Sequence, residues 1–513
     1  LIGGTFAGCI APPPDRAALR ETNAGADLAR YEAREITVPD PLTPGAAVRI
    51  ALRNNLEAWI AREETALQKE LLTGAKLGML PELLVEGGAS ERSEVAARSS
   101  ESLLTGRESL EPSFSSEKTR KYVTATATWN LLDFGVAAFR ARQAASRAAQ
   151  AEERYRRTRQ TLALRVRRAY WRTAAAEEAV RIAARVDESV RALREVVRRE
   201  MAARTIGEIE GLERETPLME QQLRLRRYEQ DAREARAELS ALLGLPVGTT
   251  VTLADVDFDA LPPSPAMDLP ELEREALRKR PELLEEDMEE RISRDEARVA
   301  LARLFPSPSA FASYDRDPDK YLYYNDWTTV GLRAVWDLLA VPRRLALHEA
   351  ETRRAELVAT QRTALAVGIL TQVHLAVIEY EGELERLLLS REIAANRERL
   401  FEAAEGKVED GKGTAAEALA SEVQYLLART RYLMSYANAM TACYRIETTV
   451  GRDPLESLPA DCAEDADESA RAAPDLRTPP EGWAAAAAAS ALPAGYRIVS
   501  RLPGTDPGPE ASR

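Results

Sequence analysis

Between Tyr122 and Gly135 the chain changes the period of its apolar positions from two to about 3.6. Val123, Ala125, Ala127, Trp129 and Leu131 share one parity, and Thr124, Thr126, Thr128 and Asn130 share the other. That alternation belongs to a strand with one apolar and one polar face. Beyond Gly135 it stops, and a proline-free, Ala/Arg/Glu-rich stretch runs to about Met201. Such a stretch predicts a single helix over about 135–201, on the order of 100 Å long. The switch happens again from Thr328 to Pro342, where Val330, Leu332, Ala334, Trp336 and Leu338 alternate with Arg333, Val335 and Asp337. Gly135 is expected to make the bend at the first junction and Pro342 at the second.

Within the long helix, Leu162, Val166, Ala169, Thr173 and Ala176 form one seam at 4,3 spacing, and Ala175, Ala179, Ile182, Val186 and Ser189 form another. Two seams let a helix touch a neighbour on each side, which suits a ring of helices better than a two-stranded coil. Pro12, Pro13, Pro14, Pro39 and Pro41 mark residues 1–42 as an extended tether. Thr43-Pro44 opens a helix that Pro81 stops after Leu80. Strands fall within 82–133, a polar turn at 204–211 reverses the long helix, and Gly244-Leu245-Pro246 ends the returning one. The second half repeats this order. Ala51-Leu52-Arg53 corresponds to Ala276-Leu277-Arg278, and Leu80-Pro81 to Phe305-Pro306, at an offset of 225. Past the strands, Trp129 corresponds to Trp336, Leu212 to Leu419 and Gly244 to Gly451 at an offset of 207. Two constant registers around one length change mark a duplication. The repeats occupy 43–257 and 258–455, the second with strands within 306–340 and a long helix over about 342–408. Residues 456–513, acidic and then Ala/Pro/Gly-rich, read as a disordered tail.

With only 6% aromatic residues, the 513-residue chain favours long helices over a thick core. A net charge of -13 argues against nucleic-acid binding, and the basic stretch 140–172 reads as a salt-bridging helix face. Cys9, Cys443, Cys462, His348 and His374 lack metal-ligand spacing, and no nucleophile-histidine pair or phosphate loop stands out. Neither catalysis nor a metal or cofactor is expected. Cys443 and Cys462 are compatible with a disulfide or with two thiols. No run approaches about 18 apolar residues, so no membrane-spanning helix is expected. Phe6-Ala7-Gly8-Cys9 resembles a bacterial lipobox, which implies a lipoprotein acylated at Cys9, palmitate included.

Four strands cannot close a barrel, and a sheet with an apolar face must hide that face and its two edges. Several chains could pool their strands into one barrel, apolar toward lipid and polar inward. Trp129, Trp336, Tyr321, Tyr323, Tyr324 and Trp327 then become candidate membrane-interface aromatics. The alternative is a periplasmic coiled-coil scaffold without channel activity, water-soluble without detergent. The duplicated order carries a family resemblance, together with breaks at Leu80-Pro81 and Phe305-Pro306, Trp129-Asn130-Leu131-Leu132, Trp336-Asp337-Leu338-Leu339 and Asp133-Phe134-Gly135. Over about 43–455 the chain resembles the TolC-like outer-membrane efflux proteins. The resemblance implies a mainly α fold with a small β part. Four strands per chain would form a 12-stranded β-barrel in a homotrimer, continuous with an α-helical barrel across the periplasm. It implies a lipid-anchored outer-membrane exit duct, a passive conduit of a tripartite efflux pump or type I secretion system. Its partners would be a periplasmic adaptor protein, an inner-membrane transporter and outer-membrane lipid. The family's tips carry Gly-x-x-(Ser/Thr)-x-x-Asp-(Val/Leu)-Leu, matched by Gly411, Thr414, Glu417, Ala418 and Leu419 and departed from by Arg204, Gly207, Glu210, Gly211 and Leu212. By resemblance Arg204, Gly207, Leu212, Gly411, Thr414 and Leu419 are adaptor contacts, and Glu417 and Glu210 stand at the periplasmic entrance. A threefold ring of Glu417 would select cations and raise its members' pKa; a solvated acid at a helix start is the other reading.

Overall fold

The computed structural model describes residues 15–32, 36–109, 111–246, 248–262 and 268–456. Cys9, Cys462 and the tail at 457–513 lie outside the described residues. Two compact units are present, one containing α1 (Arg16–Glu32) and one running from Ile36. The tether is therefore not extended throughout. Asp15 accepts a hydrogen bond from the Ala17 N–H at 3.0 Å and starts a helix rich in Ala, Leu, Arg and Glu. Its intrinsic propensity overrides what the flanking prolines suggest.

The larger unit holds α2 (Pro44–Asn54), α3 (Leu56–Leu77), β1 (Glu82–Glu91), β2 (Thr119–Asn130), α4 (Leu131–Ala202) and α5 (Glu208–Leu243). It continues with α6 (Leu269–Lys279), α7 (Pro281–Ala302), β3 (Ser307–Arg316), β4 (Asp326–Val335), α8 (Val341–Glu409) and α9 (Ala415–Thr449). The starts of α2, α3 and β1 recur 225 residues later in α6, α7 and β3, and those of β2 and α5 recur 207 later in β4 and α9. The helix expected over 43–80 is broken in two. Asn55 is extended, caps α3 by accepting from the Glu57 N–H at 2.8 Å, and donates through its side chain to the Leu242 carbonyl at 3.1 Å. Arg280-Pro281 breaks the second copy at the same place.

The first strand-to-helix junction lies earlier than the apolar period suggests. Asn130 Oδ1 accepts from the N–H groups of Leu132 and Asp133, both at 3.1 Å, so the strand passes into α4 at its cap. Gly135 is an interior helix position, four residues past the junction rather than at it. At the second junction the strand ends at Val335, Asp337 Oδ1 accepts from the Ala340 N–H at 3.1 Å, and Pro342 sits in the first turn of α8.

α4 and α8 are each on the order of 100 Å long and span two tiers. Beside the strands α3 packs on α4, α4 on α7 and α7 on α8. At the far end α5 packs on α4, α4 on α9 and α9 on α8. Each tier is thus four helices side by side, with α8 at one edge. Buried Ala141, Ala144, Ala148 and Ala151 let neighbours approach α4 closely. Where the tiers meet, the buried Tyr170 hydroxyl donates to the Leu42 carbonyl at 3.1 Å, and Leu42 exchanges 2.8 Å backbone bonds with Thr252 and Ala254. Buried Arg167 donates to Glu447 and to the Pro454 carbonyl, both at 3.0 Å, and lies 4.2 Å from the Tyr444 ring centroid. The residues that end α9 are clasped in the same way, Gln160 donating to the Gly451 carbonyl at 2.9 Å.

Gly451 has a φ of +83°, and a Cβ there would stand 2.7 Å from the Lys279 carbonyl oxygen. Gly451→Ala is therefore expected to destabilise the fold by about 2 kcal/mol or more. Thermal unfolding against the parent chain checks this, and an unchanged midpoint refutes it.

Candidate functional site

The sheet runs β1-β2-β3-β4 with all pairs antiparallel, and its register sorts the side chains cleanly. Leu83, Ala127, Ala312 and Val330 lie abreast on one face, as do Val85, Ala125, Tyr314 and Thr328. The opposite face carries Leu84, Thr126, Ser313 and Thr329, then Glu86, Thr124, Asp315 and Trp327. On that polar face Asp315 accepts from Thr124 at 2.9 Å and from Ser313 at 2.8 Å, Tyr122 donates to Glu86 at 2.6 Å, and Arg120 pairs with Asp317 at 3.0 Å. The apolar face is bare, with Val330 77% and Leu332 85% exposed.

Trp129 belongs to the apolar face with Ala310 and Leu332, and stacks edge-on with Phe134 at 5.7 Å. Trp336 stands just past β4, its indole N–H donating to the Leu304 carbonyl at 3.2 Å. Both lie at the helical end of the sheet. Tyr321, Tyr323 and Tyr324 occupy the loop at the other end, where Tyr321 meets Phe114 edge-on at 5.6 Å. Trp327 departs from the expected grouping: it pairs with Asp315 and so sits on the polar face. Its odd number, shared with Arg333 and Val335, already carried that information.

Among the described residues, no strand lies beside the outer edges of β1 and β4. Bare stripes also run along the edges of the helical tiers: Leu56, Ile60 and Leu67 on α3, and Leu357, Val367 and Leu375 on α8. Cross-links give their heights. Glu57 pairs with Arg165 at 2.7 Å, Thr65 donates to the Ala151 carbonyl at 3.1 Å, and Gln150 donates to Glu289 at 3.0 Å. Arg280 donates to Gln372 at 2.8 Å, and Arg362 pairs with Asp287. Leu56 and Ile60 thus stand level with Leu375 and Val367, and Leu67 with Leu357. The α8 stretch departs from the expectation of no spanning helix: by length and composition alone α8 contains a window apolar enough to cross a membrane, although only 22% of that window is buried.

At the far ends of the long helices the two reversals share a backbone shape. Arg204 has a φ of +57° and Gly411, which lies 207 residues on, a φ of +71°. Arg204 thus holds a left-handed conformation that glycine adopts at no steric cost. Thr414 caps α9 with a reciprocal pair: its hydroxyl accepts from the Glu417 N–H at 3.2 Å, and Glu417 accepts from the Thr414 N–H at 3.0 Å. That backbone bond, then the Thr414 side chain, holds the exposed Glu417 carboxyl below its ordinary 4.5. One chain holds one Glu417, so this direction reports the cap alone, and mutual repulsion in a carboxylate ring would act the other way. Gly207 caps α5 without a side chain, and Glu210 pairs with Arg214 at 2.5 Å.

Leu212 is exposed and borders a shallow apolar depression with Ile209, Thr216 and Pro217. Its counterpart Leu419 is buried against the core, which removes it from any contact surface. Met219 and Leu223 extend the bare strip along α5, at a helical spacing visible in the sequence but not drawn from it. Higher on α9, burial pushes the Glu422 carboxyl up, against the pull of Ser189 on α4. No tip pattern points to that residue.

The profile of the outer membrane efflux protein family matches residues 50–245 and 272–452. Among solved structures the chain is similar to the outer-membrane channel OprN, at 17% identity over 80% of this chain and 90% of that one, with a TM-score of 0.65. The Campylobacter jejuni outer membrane channel CmeC is 12% identical over 83% and 89%, with a TM-score of 0.64. Vibrio cholerae VceC, an outer membrane protein, is 13% identical over 80% and 96%, with a TM-score of 0.63. At these identities the likeness concerns the fold. No curated protein is significantly similar to the chain.

Arg204→Gly is expected to stabilise the first reversal by about 1 kcal/mol, read as a rise in the unfolding midpoint; a fall refutes the strain assigned to Arg204. Glu417 contributes to the α9 cap above the ordinary glutamate value of 4.5, and that contribution is lost as pH falls through its lower native value. A carbon-13 titration of Glu417 should therefore have its midpoint below 4.5 and move up in Thr414→Ala. A midpoint above 4.5 would reveal a repelling ring instead.

Proposed function

The chain belongs to the outer membrane efflux protein family, and we propose that three copies close into one duct that a periplasmic adaptor joins to an inner-membrane transporter. The protein is an outer-membrane exit duct. The observation that carries the assembly is that every layer ends in a bare edge, and that the two edges of the upper helical tier match in height. Strand directions alternate from β1 to β4, so β4 of one copy meets β1 of the next antiparallel. Two copies would give eight strands, whose interior side chains about fill. Three give twelve, with room for a lumen. The bare apolar face then meets lipid, and the face bearing Thr124, Thr126, Asp315 and Arg333 lines the passage.

Below the strands, the α8 stripe of one copy covers the α3 stripe of the next. That cover accounts for an apolar helix window left largely open in a single chain. Conduction through such a tube is passive, since a continuous polar lumen needs no bond broken. The adaptor meets the tips, where the α5 strip from Ile209 to Leu223 offers apolar contact and the capped start of α9 offers a polar one. A lipid on Cys9 would add an anchor. From Tyr170, which holds Leu42, to the start of α4 is about 60 Å of helix, and the chain from Cys9 to Leu42 spans about 75 Å at full stretch. The acylated cysteine can therefore reach the bilayer.

Purified protein in detergent is expected to run as a heat-sensitive trimer and to conduct in a planar bilayer. A folded trimer without conductance overturns the duct reading. Glu417→Ala should lower cation selectivity if Glu417 rings the entrance, and unchanged selectivity removes it from that role.

A further inference from the structure

An open apolar crevice of about 490 Å³, as shallow as the depression beside Leu212, lies directly under the sheet, between the start of α4 and the end of α7. Leu131, Phe139, Leu301, Phe305 and Pro308 form its walls, and Arg298 stands at its lip. Pro308 has the parity of Ala310 and Ala312, so the crevice opens on the side of the apolar sheet face. Leu301 and Phe305 are bare within it. The pairs that frame it, α4 with α7 and β2 with β3, are the inner pairs of their layers. It therefore lies away from the edges where copies of the chain would meet.

The lip carries an unbalanced charge. Asp295 is wholly buried, and its Oδ1 accepts from Arg142 at 2.9 Å and from Arg298 at 2.8 Å. Two guanidiniums share one carboxylate, and both are about half exposed. The adjoining acid in the sequence, Glu296, is already held by Arg140 at 2.8 Å and by Gln143 at 2.8 Å. Arg142 also lies 5.3 Å from the centroid of the Phe139 ring, which joins the cationic lip to the apolar wall. One positive charge is left over, below an apolar slot that points toward the strands.

We propose that the crevice binds a phospholipid of the periplasmic leaflet, its acyl chain along Leu301, Phe305 and Pro308 and its phosphate on Arg142 and Arg298. The assignment rests on the sheet lying in the outer membrane. The polarity agrees with that setting, because a lipid of that leaflet points its chains toward the strands and its phosphate toward the helices. A guanidinium pair suits a phosphodiester, which offers two acceptor oxygens side by side.

Native mass spectrometry of the full protein, titrated with dimyristoyl phosphatidylglycerol, tests this. One lipid per chain is expected, with the matching diacylglycerol bound about tenfold more weakly or worse. Arg298→Gln leaves Asp295 and Arg142 as a neutral pair, so the fold keeps its partner for the buried acid while lipid affinity falls about tenfold. Leu301→Asn should weaken binding through the wall, and Arg294→Gln, whose arginine pairs with Glu290, should not. Equal binding by Arg298→Gln, equal binding of diacylglycerol, or a covalently attached chain filling the crevice overturns the proposal. A conducting trimer that binds no phosphatidylglycerol overturns the lipid site and leaves the duct standing. A water-soluble monomer overturns both.

Discussion

A strand edge in hydrocarbon leaves a backbone N–H and C=O unpaired at every second residue, at several kcal/mol each. β1 and β4 both present such an edge, and they are the outermost strands of a sheet whose apolar face is bare. Burying one edge against the chain's own helices would strip the other of any partner in the membrane. Pairing edge to edge with further copies resolves both at once. It also dictates that the polar face turns inward, because only that face has hydrogen-bonding groups for water to meet.

The helical part obeys a parallel logic with side chains in place of backbone groups. α4 and α8 run through both tiers, and short helices fill the places between and beside them, so each tier is four helices wide. Cross-links such as Arg140 to Glu296, Gln150 to Glu289 and Arg280 to Gln372 fix the heights of neighbours to within a turn. Those links are polar because α7 is rich in glutamate and the facing α4 in arginine and alanine. Hydrophobic burial concentrates instead where the tiers meet, around Tyr170, Trp171, Tyr436 and Phe258. A clasp of Arg167 and Gln160 on the residues that end α9 holds the two repeats together there.

Most of this plan was legible in the chain. Parity gave the strand faces, proline and glycine gave the ends of elements, and the two offsets gave the duplication. The misses share a cause: a side chain satisfying backbone groups leaves little trace in hydrophobic period. Asn130 capping α4, Asn55 dividing α2 from α3 and Asp15 starting α1 all acted where apolar spacing said nothing. Leu419 and Trp327 depart from their expected settings for another reason, since neither a motif position nor an aromatic identity says on which face the residue falls. The crevice beneath the sheet was not legible, because it is made by elements about 170 residues apart in sequence.

The constancy of the two offsets has a consequence for how such a chain can change length. Adding one residue to α4 would turn everything beyond it by about 100° and lift it by about 1.5 Å, taking every seam and cross-link out of register. A workable insertion must approach whole turns, close to seven or eleven residues, and must occur in α4 and α8 alike. The segment between β1 and β2 is bound by no such rule. All of the length difference between the halves has collected there, beyond the end of the sheet, where extra residues alter neither the bore nor the span of the tube.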